Sequence, residues 1–90
     1  MDGKHTHQDG LYQTSDTSLA TYLITEGFFP IEIDYSQPRF VFIFEDKKSK
    51  LQQYEHNYIA GKARVDPATY TRVNRKLIRT LKNQLQWAGA

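Results

Sequence analysis

The sequence predicts an α+β domain: an antiparallel sheet of three or four strands with helices packed on it. Three observations carry this. The run Arg39-Phe40-Val41-Phe42-Ile43-Phe44-Glu45 has five central residues that are aromatic or β-branched, the types that suit a pleated surface. The preceding Ile31-Glu32-Ile33-Asp34-Tyr35 alternates apolar and acidic residues, the period of a half-exposed strand. After Asp66-Pro67, apolar residues recur at three and four positions to the end of the chain, the period of a helix.

Ninety residues with 39% hydrophobic content make one domain with a modest core. Residues 1–9 have no periodicity and read as a flexible start, leaving 10–88 as the domain. The absence of cysteine excludes disulfides, thiolate metal sites and thiol catalysis. No apolar run reaches the twenty or so residues of a membrane span, and no secretory signal opens the chain, so a cytoplasmic protein with no membrane partner is expected.

Leu11-Tyr12-Gln13-Thr14 reads as a short first strand. Ser15-Asp16 supplies a helix cap, and Leu19, Ala20, Leu23 and Ile24 follow at helical spacing until Gly27 ends the helix, near Glu26. Ile31, Ile33 and Tyr35 should then point inward. Ser36-Gln37-Pro38 turns the chain into the Phe-rich strand, whose two apolar faces both call for cover. A second helix is expected from about Lys48 to Ala60, closed by Gly61. Ala63-Arg64-Val65 reads as a short edge strand. Asp66 caps the last helix with Pro67 at its first position, and that helix should run to about Gln86. The order is β-α-β-β-α-(β)-α. Its first six elements match the split β-α-β arrangement of ferredoxin-like domains when the bracketed strand is counted.

Charge is divided between the halves. Residues 1–46 hold two cations against eight acids, a net −6; residues 47–90 hold ten cations against Glu55 and Asp66, a net +8. The two halves can attract each other, or the basic half can meet an anionic partner. On the last helix Tyr70, Val73, Leu77, Leu81 and Leu85 share one face, with Ile78 at its edge. Arg72, Arg75, Lys76, Arg79 and Lys82 lie opposite, and no acid follows Asp66. Such a stripe is either a solvated face or a surface for the phosphates of DNA or RNA.

The Phe-rich strand with Tyr12 offers a second candidate. RNA-recognition motifs stack bases on aromatics of their first and third strands. Leu11-Tyr12 and Arg39-Phe40-Val41-Phe42-Ile43 are similar to those signatures, but the glycine after the basic residue is missing. A core role for the phenylalanines is the simpler reading. Alternatively, Tyr35, Tyr54, Tyr58 and Trp87 could anchor a host protein or a second copy, with Trp87 off the core stripe of the last helix.

Nothing builds a catalytic or cofactor site. There is no phosphate loop, no metal-ligand cluster and no nucleophile beside a base. His5 and His7 lack a third ligand, and His56 stands alone within its helix. Glu32, Asp34, Glu45 and Asp46 read as a solvated acidic edge at the hairpin ends.

Tyr12-x-Thr14-x-Asp16-x-x-x-Ala20-x-Tyr22-Leu23-x-x-x-Gly27-Phe28 resembles the opening of a family of small uncharacterised domains of bacteria, archaea and their viruses. Phe42-x-Phe44-Glu45, Tyr58-x-x-Gly61, Val65-Asp66-Pro67 and Leu81-Lys82 extend the resemblance, which covers about Leu11 to Gln84. It implies a prokaryotic or viral, cytoplasmic origin, and brings no catalytic residue or cofactor.

Overall fold

The structure, a computed structural model, describes residues 7–8 and 10–88. In chain order the elements are β1 (His7–Gln8), β2 (Leu11–Thr14), α1 (Thr17–Thr25), β3 (Pro30–Asp34), β4 (Val41–Glu45), α2 (Leu51–Ile59) and α3 (Pro67–Lys82). The antiparallel sheet has the order β1-β2-β4-β3. β4 is thus inserted between β2 and β3, which run parallel to each other and are joined through α1: a split β-α-β unit. The bracketed strand does not form, and residues 62–66 are loop. The place beside the first long strand, where a ferredoxin-like sheet carries its last strand, is taken by the two-residue β1. Of the stretch expected to be a flexible start, only this pairing falls within the described residues; His5 lies outside them.

Tyr12, Phe42, Phe44 and Ile33 have at most 1% of their surface exposed and meet Leu19, Ala20, Leu23, Leu51 and Leu77 of the helices in one core. The other face of the sheet, with Leu11, Val41 and Ile43, takes no part in that core. The expectation that both faces of the Phe-rich strand are covered is therefore corrected. The sheet is antiparallel, and such a sheet tolerates one solvated face.

A β-bulge between Pro30 and Glu32 also changes the inward set on β3. Pro30 and Ile33 point to the core, and Ile31 is extruded, 60% exposed. Tyr35 is half-buried as expected, and its hydroxyl donates to the carbonyl of Leu85 at 2.6 Å.

All three helices end in the same backbone device. Gly27 (φ +97°), Gly61 (φ +76°) and Gln84 (φ +50°) each adopt the left-handed conformation one residue beyond the cap. The amides that follow turn back on the last turn: Phe28 to Leu23 at 3.0 Å, Lys62 to Asn57 at 2.8 Å, and Leu85 to Thr80 at 2.9 Å. Gln84 therefore ends α3 at Lys82, earlier than the expected Gln86, and Leu85 leaves the core face with 56% exposure. Thr80 is buried in its stead, its hydroxyl bonded to the carbonyl of Lys76.

At the helix starts, Asp16 accepts from the Leu19 amide at 3.1 Å and Asp66 from the Thr69 amide at 2.9 Å. α2 starts differently. Ser49 takes a positive φ of 55°, so the helix begins at Leu51 rather than Lys48. Its first amides are satisfied from upstream: the buried Asp46 accepts from Lys50 at 2.8 Å and Leu51 at 3.1 Å. Asp46 is thus no part of a solvated acidic edge.

Candidate functional site

α3 lies against α1, and its Tyr70, Val73, Leu77 and Leu81 pack into the common core, which fixes where its other face points. Asn74 joins this contact, its side-chain oxygen 3.1 Å from the hydroxyl of the buried Thr21 on α1. Arg72, Arg75, Arg79 and Lys82, spaced by three and four residues, then fall together on the solvent side, and all four are exposed. Arg72, Arg75 and Arg79 line one shallow depression with Pro67 and Ala68. Arg75, Arg79 and Lys82 line its neighbour with Asn74 and Ile78. The four cations span eleven residues of helix, a rise of about 15 Å.

Among the described residues, no acid of the N-terminal half forms an ion pair with them. Among the described residues, the one ion pair joins Lys47 to Glu45 at 3.5 Å, far from α3 in the chain. The nearest acid in sequence is Asp66, occupied by the Thr69 amide and hydroxyl, which hold its carboxyl below the usual range, with a smaller contribution from Arg72. The attraction between halves, one of the two explanations of the charge gradient, is not found at this face among the described residues.

Lys76 is set apart from the other four. It is half-buried, its ammonium lies 4.3 Å from the centre of the Trp87 ring, and it donates to the Ala88 carbonyl at 2.5 Å. Its charge is used to hold the C-terminal segment against α3. Trp87 accordingly folds back and packs on the core, with its indole nitrogen buried and, among the described residues, without a hydrogen-bond partner. The other three aromatics considered as anchors are likewise packed. Tyr58 lies over Tyr22 at 6.0 Å, Tyr54 meets Phe28 edge-on at 5.0 Å, and Tyr35 is bonded to the C-terminal segment.

Phe42, Phe44 and Tyr12 are fully buried under the helices, so they offer no stacking platform. Tyr12 donates its hydroxyl to Glu55 at 2.9 Å, and burial first, then this bond, pushes its phenol far above the ordinary value. Glu55 borders a surface depression with His56, but its carboxylate serves Tyr12. Asp34 accepts from the Ser36 amide and hydroxyl, which lower its pKa and close the turn after β3. Among the described residues no group of three or more His, Asp or Glu side chains could hold a metal ion. No helix among them is long and apolar enough to cross a membrane.

The chain belongs to the family DUF5659, a domain of unknown function, whose model matches residues 9–86. No curated protein and no solved structure matches it. The residues that carry the resemblance in the sequence do structural work here: Asp16 and Asp66 cap, Gly27 and Gly61 end helices, and Phe42 and Phe44 fill the core.

Proposed function

We propose that this member of the DUF5659 family is a non-enzymatic nucleic-acid-binding or nucleoprotein-associated protein that meets phosphates with the outer face of α3. What supports the reading is one observation: Arg72, Arg75, Arg79 and Lys82 share a solvent face, and among the described residues none has an ion-pair partner. Four unneutralised cations on one rigid helix are an electrostatic footprint for a polyanion. Three of the four, Arg75, Arg79 and Lys82, flank Asn74 and Ile78, a composition suited to following a backbone rather than reading base edges. Lys76 is left out of the contact set, because its charge already serves Trp87 and Ala88. From the family resemblance alone we also propose a cytoplasmic protein of a prokaryotic cell, encoded by the cell or by a virus.

Fluorescence anisotropy with labelled single- and double-stranded oligonucleotides across a salt series tests it. Each phosphate neutralised contributes about 0.7 to the log–log salt slope for a single strand and about 0.9 for a duplex. Four contacts therefore give a slope of about −3 to −4. A flat salt response would count against the reading.

A protein-interaction role, with a host protein or a second copy, is favoured by a different feature from the aromatics named in the sequence. The face of the sheet turned away from the helices carries Leu11, Val41 and Ile43, and Ile31 protrudes from β3. Sedimentation that finds a dimer insensitive to salt, and lost on Val41→Lys with Ile43→Lys, would support it.

A further inference from the structure

Beside the basic face, α1, the end of α2, the loop 61–66 and the start of α3 leave an open cleft of about 510 Å³. That volume is within the range of small-molecule sites. Tyr22, Tyr58 and Tyr70 bring three aromatic rings to it, and Ala63 and Val65 line it from the loop. Val65, the last residue of the expected strand that does not form, is 36% exposed there. Pro67 and Thr71 line both this cleft and the depression that holds Arg72, Arg75 and Arg79, so the two share a wall. The loop alternates: Lys62 and Arg64 are exposed, while Gly61, Ala63 and Val65 line the cleft.

An aromatic, mostly apolar cleft with cations on both flanks is matched to a ligand that is itself flat, apolar on its faces and attached to anions. We infer that the cleft seats one nucleobase of a single-stranded nucleic acid whose phosphates run over Arg72, Arg75 and Arg79. The inference rests on the phosphate-binding reading above and adds to it a preference for single strands. A base paired within a duplex does not present its faces to such a cleft, whereas an unpaired base stacks on aromatic side chains without regard to sequence. The phenols of Tyr22 and Tyr58 are neutral at physiological pH, as ordinary phenols are, and burial raises them further. Base and phosphate are common to DNA and RNA, and nothing in the cleft distinguishes the two sugars.

The test is anisotropy of the full chain across a salt series with three labelled probes of equal length: a single strand, the same strand with abasic linkers and so the same charge, and the duplex, which carries twice that charge. DNA and RNA versions of the single strand are run side by side, and their affinity ratio identifies the source of the base. The single strand is expected to bind about tenfold more tightly than the abasic strand, the size of one stacked base. Tyr58→Ala, shown by circular dichroism to remain folded, is expected to remove that difference and leave the salt slope unchanged. Equal affinity for the abasic and base-bearing strands, with the salt slope intact, overturns the cleft and leaves the phosphate face standing. Absence of binding by all three probes overturns both. The abasic comparison needs no substitution, so the inference stays open to refutation even if Tyr58→Ala unfolds.

Discussion

The side-chain amide of Gln86 forms both outward hydrogen bonds of Ile33: its oxygen accepts from the Ile33 amide at 2.6 Å, and its nitrogen donates to the Ile33 carbonyl at 2.9 Å. β3 is the edge strand of the sheet on that side. A single side chain thus occupies the polar groups that would otherwise be open to another strand, one way natural sheets protect an edge. Tyr35 secures the approach, since its hydroxyl donates to the Leu85 carbonyl one residue earlier.

Gln86→Ala should therefore cost about 1–2 kcal/mol in urea unfolding, the net worth of one to two hydrogen bonds. It should also raise the exchange rate of the Ile33 amide more than that of its neighbours. A chain ending at Asn83 loses Leu85, Gln86 and Trp87 together. Concentration-dependent association is the expected result in sedimentation, and a monomer at all concentrations would show that the edge needs no such cover.

Asp46→Ala removes the acceptor for the first amides of α2 and leaves that of Leu51 unsatisfied at a buried position and that of Lys50 at a part-buried one. A loss of about 2–3 kcal/mol is expected. Asp46→Asn keeps one acceptor oxygen and should lose roughly half as much. Urea midpoints for the two variants check the order.

Tyr12, Tyr22, Tyr35 and Tyr58 all hold their phenols above the ordinary value of 10, in each case first because burial disfavours the phenolate. The unfolded chain releases these protons near pH 10, and the folded chain releases them later. Between those points the unfolded state binds fewer protons, so stability falls as pH rises. Their contribution is present in full below about pH 10 and is lost as pH climbs through the raised folded values. Tyrosinate absorbance should lag behind that of the urea-unfolded chain, and Tyr12→Phe should flatten the alkaline loss of stability.

Gln84 holds a left-handed backbone that costs a non-glycine residue about 1 kcal/mol. Gln84→Gly should raise stability by about 0.5–1 kcal/mol in thermal or urea unfolding, because glycine adopts this conformation without penalty. No gain would mean that the tail beyond it imposes no strain.

Much of this was legible in the sequence because it depends on local chemistry. Asp16 and Asp66-Pro67 mark helix starts, Gly27 and Gly61 mark ends, and the alternation through β3 and β4 marks the hairpin. Departures arise where tertiary structure overrides the local signal. The bulge that extrudes Ile31 is a property of register between two strands. Gln84 ends α3 without a glycine because the segment after it is tied to Tyr35 and Ile33. Asp46 looked like one more surface acid because its amide partners lie four and five residues away. At the candidate site, the stripe of cations was visible as an absence of acids. That Lys76 belongs to Trp87 and Ala88 was not, since it depends on the chain folding back after α3.

The proposed phosphate-binding face comprises Arg72, Arg75, Arg79 and Lys82, without Lys76. It is tested most directly by measuring the oligonucleotide affinity of Arg75→Glu with Arg79→Glu beside that of Lys76→Ala. The charge reversal should abolish binding at moderate salt and leave the melting temperature close to that of the parent chain. Lys76→Ala should keep most of the affinity but loosen the C-terminal segment, visible as altered Trp87 fluorescence. Binding that survives the double reversal, with its salt slope unchanged, would contradict the claim.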